Sequence, residues 1–85
     1  MNTIVVDTVG TAELVEVAEF YKTVGYGGGV SDSDLTIAAR LDEYVVGAVR
    51  LCREGGVIVL RGMHVAPAFQ RKGIGRALLD HCVPY

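Results

Sequence analysis

The sequence has no tryptophan, only two cysteines, two prolines, four tyrosines and two phenylalanines. Two cysteines, Cys52 and Cys82, are too few for a disulfide scaffold, and neither stands in a CxxC or other metal-ligand pattern, so no metal site is expected. So little proline, with 51 % hydrophobic and 21 % charged residues, excludes a collagen-like or disordered chain. No apolar run approaches the ~18 residues of a membrane-spanning helix. The opening Met1-Asn-Thr-Ile-Val-Val-Asp7 has no basic segment ahead of its short apolar stretch, so no secretory signal is expected and a reducing cytoplasm is the expected compartment. Residues 55–79 hold no acid at all, yet carry Arg61, Arg71, Lys72 and Arg76. Residues 1–54 hold nine acids against Lys22, Arg40, Arg50 and Arg53. An overall charge of −2 gives no footing for nucleic acid or an acidic membrane. One basic stretch in an acidic chain points instead to a local anion site.

At 85 residues the chain is one small domain or part of a larger one. A chain this short buries only about 60 % of its unfolded surface, so its independent stability is marginal. Residues 3–6 (Thr-Ile-Val-Val) read as a strand closed by Asp7 and Gly10. Thr11 is the expected N-cap of a helix with Glu13 in its first turn, Lys22 in its last and Gly25 as a left-handed cap. Leu14, Val17, Ala18, Tyr21 and Val24 form its apolar stripe, which places Tyr21 in the core. Residues 25–34 are a glycine-rich loop, read as a flexible connector or as a mobile rim in which Tyr26 lines a pocket. The turns Asp42-Glu43 and Glu54-Gly55-Gly56 then split residues 35–65 into three strands, Leu35 to Leu41, Tyr44 to Arg53 and Val57 to Val65, an antiparallel meander. In the last strand strict alternation puts Val57, Val59, Arg61 and Met63 on one face and Ile58, Leu60, Gly62 and His64 on the other. A glycine within a strand signals a bulge, which would reset that parity. A second helix follows Gly73, with Ile74, Leu78, Leu79 and Cys82 on its buried face and Pro84 as its stop.

Chemistry concentrates where this last strand meets the last helix through a basic, glycine-bearing turn. Gly73 and Gly75 permit a tight turn that aims backbone N–H groups and the positive end of the helix dipole at one spot, a phosphate site ringed by Arg71, Lys72 and Arg76. A Walker A loop is absent. The dinucleotide fingerprint fails because Leu78 stands at its third glycine position, and the preceding meander is antiparallel.

Gln70-Arg71-Lys72-Gly73-Ile74-Gly75 resembles the Q/R-x-x-G-x-G/A motif of the GNAT superfamily of N-acetyltransferases. Leu60-Arg61-Gly62-Met63-His64-Val65-Ala66-Pro67 resembles the strand that leads into the motif, and Ala77-Leu78-Leu79 resembles the start of the helix after it. The order strand, helix, three strands, helix also follows the family's N-terminal half. The resemblance implies an α+β fold with a mixed sheet and acetyl-CoA as cosubstrate. Its pyrophosphate would be held by backbone amides near Arg71, Lys72, Gly73, Gly75 and Arg76, with Gln70 at the first motif position. Met63 and Val65 fall at the positions whose main chain meets the pantetheine arm and acetyl carbonyl, and the Met63 N–H would stabilise the oxyanion. The implied reaction is direct attack of a primary amine in a ternary complex, so Cys52 and Cys82 need no nucleophilic role; the expected acceptor is a small molecule, with a protein N-terminus or lysine as the alternative.

Arg61 reads equally well as a ligand for an acceptor carboxylate or phosphate and as a surface arginine paired with Glu54 or another acid. His64 is chemically suited to be a general base, but alternation turns it away from Met63 unless a bulge intervenes. His81 reads as a helix-dipole partner and Glu54 as a solvated turn residue. The resemblance covers nearly all 85 residues but only about half of a family domain. In the family another strand follows the motif helix, and here Cys82-Val83-Pro84-Tyr85 stands where it begins; Tyr85 does not match the tyrosine that protonates the leaving thiolate. Residues 1–85 are therefore expected to be a single partial domain, completed by a missing segment, a separate polypeptide or a second copy. The rival expectations are a non-catalytic acyl-CoA-binding or dimerisation module and a purely structural domain.

Overall fold

The computed structural model describes residues 3–84, so the expectations placed on Met1, Asn2 and Tyr85 lie outside the described residues. Strand β1 (Ile4–Thr8), helix α1 (Leu14–Thr23), strands β2 (Leu35–Leu41), β3 (Tyr44–Glu54) and β4 (Val57–Val65) and helix α2 (Ile74–Cys82) follow in the expected order. The four strands make one antiparallel sheet in the order β1-β2-β3-β4. Gly55 and Gly56 both take left-handed backbone angles (φ 57° and 81°), which suits the tight turn between β3 and β4. β1 runs two residues past the expected Val6, because Asp7 and Thr8 pair with Ala38 and Ile37.

Alternate residues of the central strands feed two separate cores. On one face α1 packs Val17, Phe20 and Tyr21 against Ala38 and Ala48. On the other, α2 packs Ile74, Leu78 and Cys82 against Ile37, Ala39, Val49 and Leu51. Gly47 lies beneath α2, where an added Cβ would come within 3.2 Å of Ile74 Cγ2 and 3.3 Å of Leu78 Cδ1. Its bare backbone lets the helix settle on the sheet. Nine residues are too few for a stable isolated helix. Burial of Ile74 and Leu78, each worth about 1.5–3 kcal/mol, holds α2 in place.

Two local expectations are corrected. Thr11 does not cap α1: the chain enters through a 3-10 turn at Thr11–Glu13, whose first bond runs from the Glu13 N–H to the Gly10 carbonyl, and no side chain caps it. Leu79 is 45 % exposed rather than buried, since one helical step past Leu78 carries it off the sheet-facing side. Among the described residues no helix is long and apolar enough to cross a membrane.

Candidate functional site

The β3–β4 ladder pairs Ala48 with His64 and Arg50 with Arg61, so Val49 alone stands opposite both Gly62 and Met63. This is a β-bulge, and Gly62 supplies its left-handed residue at φ 64°. The simple alternation is thereby overturned. Arg61 and His64 share the α1 side of the sheet, whereas Met63 and Val65 face α2 and pack on its core. Arg61 is therefore not on the face of Met63, and the bulge leaves His64 pointing away from Met63. β4 is the last strand of the sheet, and its outer edge has no partner strand among the described residues.

Beyond Val65 the chain reverses through Ala66, whose N–H donates to the Val46 carbonyl at 2.8 Å, and a 3-10 turn at Pro67–Phe69. The Gln70 side-chain amide donates back to the Val65 carbonyl at 3.1 Å, tying the start of the motif to the end of the strand. Arg71 (φ 65°) and Gly73 (φ 82°) are both left-handed, an arrangement that turns consecutive N–H groups to one side. The first bond of α2 runs from the Ala77 N–H to the Gly73 carbonyl at 3.0 Å, and no side chain caps the helix. The N–H groups of Ile74, Gly75 and Arg76 thus have no partner within the helix, the kind of donor set an anion can accept. Arg71, Lys72 and Arg76 are exposed around it, and none forms an ion pair among the described residues. A Cβ on Gly75 would lie 3.9 Å from Met63 Cε and from Val65 Cγ2, so the helix start sits against the strand residues named with it. Of the eight residues picked out from the sequence, Gln70 and Gly75 thus tie the turn to Met63 and Val65 of the strand end.

The other candidates separate clearly. Arg61 forms a fork on Glu54, with Nε and a terminal nitrogen 2.6 and 2.8 Å from the two carboxylate oxygens. Hydrogen bonding to Arg61 holds the Glu54 carboxyl below its usual range. Of the two readings of Arg61, the ion pair is the one present. Cys52 and Cys82 are both buried, and burial pushes both thiols up, away from the thiolate a nucleophile requires.

A polar cluster that sequence reasoning missed lies on the α1 side of the bulge. Arg50, only 7 % exposed, donates to Asp34 Oδ2 and to the Tyr26 hydroxyl, both at 2.7 Å. The Tyr26 ring stands 4.6 Å from Tyr21 and 5.2 Å from His64. The Tyr21 hydroxyl and Arg50 Nε are buried without hydrogen-bond partners among the described residues, and burial raises the Tyr21 phenol well above its ordinary value. The available signal was Arg50 itself, the lone charge inside the run from Tyr44 to Cys52.

Residues 11–85 match the model of the acetyltransferase (GNAT) family, and the chain belongs to that family. Its enzymes use acetyl-CoA as cosubstrate. A search of curated protein sequences finds no match. Among solved structures, the chain is similar to the aminoglycoside N-acetyltransferase AAC(6')-Iy in complex with CoA, with 15 % identity, a TM-score of 0.78, and 99 % of this chain and 69 % of that one covered. A second structure of that enzyme, bound to a bisubstrate analogue, gives 16 % identity and a TM-score of 0.76 over 96 % and 70 %. A GNAT-family acetyltransferase from Staphylococcus aureus Mu50 gives 17 % and 0.73 over 96 % and 65 %. At these identities the likeness shows the fold. The chain spans about two thirds of the length of these relatives.

Proposed function

We propose that the chain binds acetyl-CoA at the turn between β4 and α2 and serves transfer of the acetyl group to a primary amine of a small molecule. The observation that carries this reading is the pair of left-handed residues, Arg71 and Gly73, leading into three N–H groups with no helical partner. A pyrophosphate suits that donor set, with amides near Arg71, Lys72, Gly73, Gly75 and Arg76 as donors. Gln70 fixes the turn by its bond to Val65. From there the pantetheine arm runs along the open edge of β4 past Val65 to the bulge. There the Met63 N–H polarises the acetyl carbonyl and takes up the negative charge that develops as the amine attacks. The route is direct transfer in a ternary complex, which agrees with two thiols raised by burial.

Residues 1–85 act in this reading as one partial domain. A completing strand, from a further segment or a second copy, covers the first half of β4. Its support is exposed Ile58 and Leu60 beside Leu79 and Val83 of the α2 end, around a cavity of about 310 Å³.

The test is calorimetric titration of acetyl-CoA and of CoA into the purified chain, with its mass in solution measured alongside. Saturable binding is expected, weakened by roughly tenfold or more in Gly73→Val, because Val is strained at φ 82° and places a branched side chain at the pyrophosphate. Lys72→Ala is expected to lose no more than about fivefold, since one exposed charge is largely screened. An assembled, folded protein that binds neither ligand refutes the coenzyme reading.

A further inference from the structure

Beyond the coenzyme lies the question of what the amine meets. At the bulge the α2 side is filled by Met63 and Val65, packed on the core around Ile74 and Leu78. On the α1 side Gly62 has no side chain, and half-buried Tyr26 and His64 lie there over the buried Tyr21 ring. A Cβ added to Gly62 would come within 2.9 Å of Tyr26 Cε2 and 2.8 Å of the Tyr21 hydroxyl. The bulge is thus roofed by aromatic rings on its α1 side, and of these Tyr26 and His64 keep part of their surface exposed.

Tyr26 reaches this position from the glycine-rich segment 25–34, which has few side chains to anchor it. Its anchor is Arg50. From a buried place on β3 one guanidinium holds both ends of the segment, the Tyr26 hydroxyl at one end and the Asp34 carboxylate at the other. The two carboxylates near the bulge are both occupied: Asp34 is paired with Arg50 and Glu54 with Arg61. Each of these two negative charges is offset by an arginine, so neither is left to favour a second positive charge on the acceptor.

We propose that Tyr26 determines acceptor specificity, its ring forming the wall against which the carbon arm of the amine lies, and that Arg50 is the positioning residue that holds it there. The acceptor class that fits is a monoamine with a flat or apolar arm next to the reacting nitrogen, in preference to a polycation. This inference rests on the coenzyme reading above.

The experiment compares, by calorimetry, free CoA with two thioether conjugates in which the CoA sulfur carries an acetyl bridge amide-linked to phenethylamine or to 1,4-diaminobutane. Binding of neither CoA nor conjugate overturns the coenzyme reading and this inference with it. With CoA binding intact, the phenethyl conjugate is expected to bind about 5- to 10-fold tighter than CoA, the gain of one aromatic contact, and tighter than the aminobutyl conjugate. Tyr26→Ala should abolish that gain and Tyr26→Phe, which keeps the ring but loses the Arg50 bond, should reduce it, both with CoA affinity unchanged within about twofold. Arg50→Lys, which retains the charge opposite Asp34 but not the fork, should behave as Tyr26→Phe does. A phenethyl gain that survives Tyr26→Ala, or a larger gain for the aminobutyl arm, overturns the assignment. A fall in CoA affinity equal to that of the conjugate does so too, because it marks a merely structural role.

Discussion

Gly62→Ala tests the bulge directly. At φ 64° an L-residue costs roughly 1–2 kcal/mol over glycine. The new Cβ would also stand 2.8 Å from the Tyr21 hydroxyl and 2.9 Å from Tyr26 Cε2, an overpacking worth about 1–3 kcal/mol. Together these give about 2–5 kcal/mol, a large share of the ~4–13 kcal/mol expected for a domain of this size. At ~4–8 °C per kcal/mol, thermal unfolding followed by circular dichroism should show Tm lowered by at least about 8 °C. The two contributions separate in a double variant. With Tyr26→Ala as background, part of the steric share disappears and Gly62→Ala should cost less than it does in the parent, whereas the share due to φ persists. A Gly62→Ala protein that melts within about 3 °C of the parent would refute both the left-handed bulge and the aromatic roof over it.

Tyr21→Phe removes a buried hydroxyl that has no hydrogen-bond partner among the described residues and should raise stability by about 1 kcal/mol in urea unfolding at pH 7. Because burial raises the Tyr21 phenol, the folded chain keeps a proton that the unfolded chain loses above about pH 10, so parent stability should fall as pH rises past that point and the Phe variant should fall less. Arg50→Met leaves the Asp34 carboxylate without its partner and should lower the unfolding free energy by about 3–5 kcal/mol, while Arg61→Met, at a solvated pair, should leave the urea midpoint within error.

The strand ends were legible because Asp42-Glu43 and Glu54-Gly55-Gly56 punctuate apolar runs, and the turn from Gln70 to Arg76 because glycines and cations coincide there. Gly62 announced a bulge but not which residues it would reorient. That depends on where the extra residue falls against β3, a matter of register that one strand's sequence does not contain. Leu78 and Leu79 are the same residue type one step apart, and only the direction of the helix over Gly47 decides which is covered. The cluster of Arg50, Tyr26 and Asp34 joins residues 16 and 24 positions apart through a segment whose glycines carry no periodic signal.

The edge of β4, unpaired among the described residues, offers its outward N–H and C=O groups to any extended chain, and Val57, Ile58 and Leu60 expose apolar side chains along its first half. A pantetheine arm laid along residues 63–65 would compete for that edge with a foreign strand. Coenzyme would then act as a chaperone as well as a reactant. Saturating CoA should slow the aggregation that starts from the strand beyond the bulge and leave that seeded by Val57, Ile58 and Leu60 unchanged.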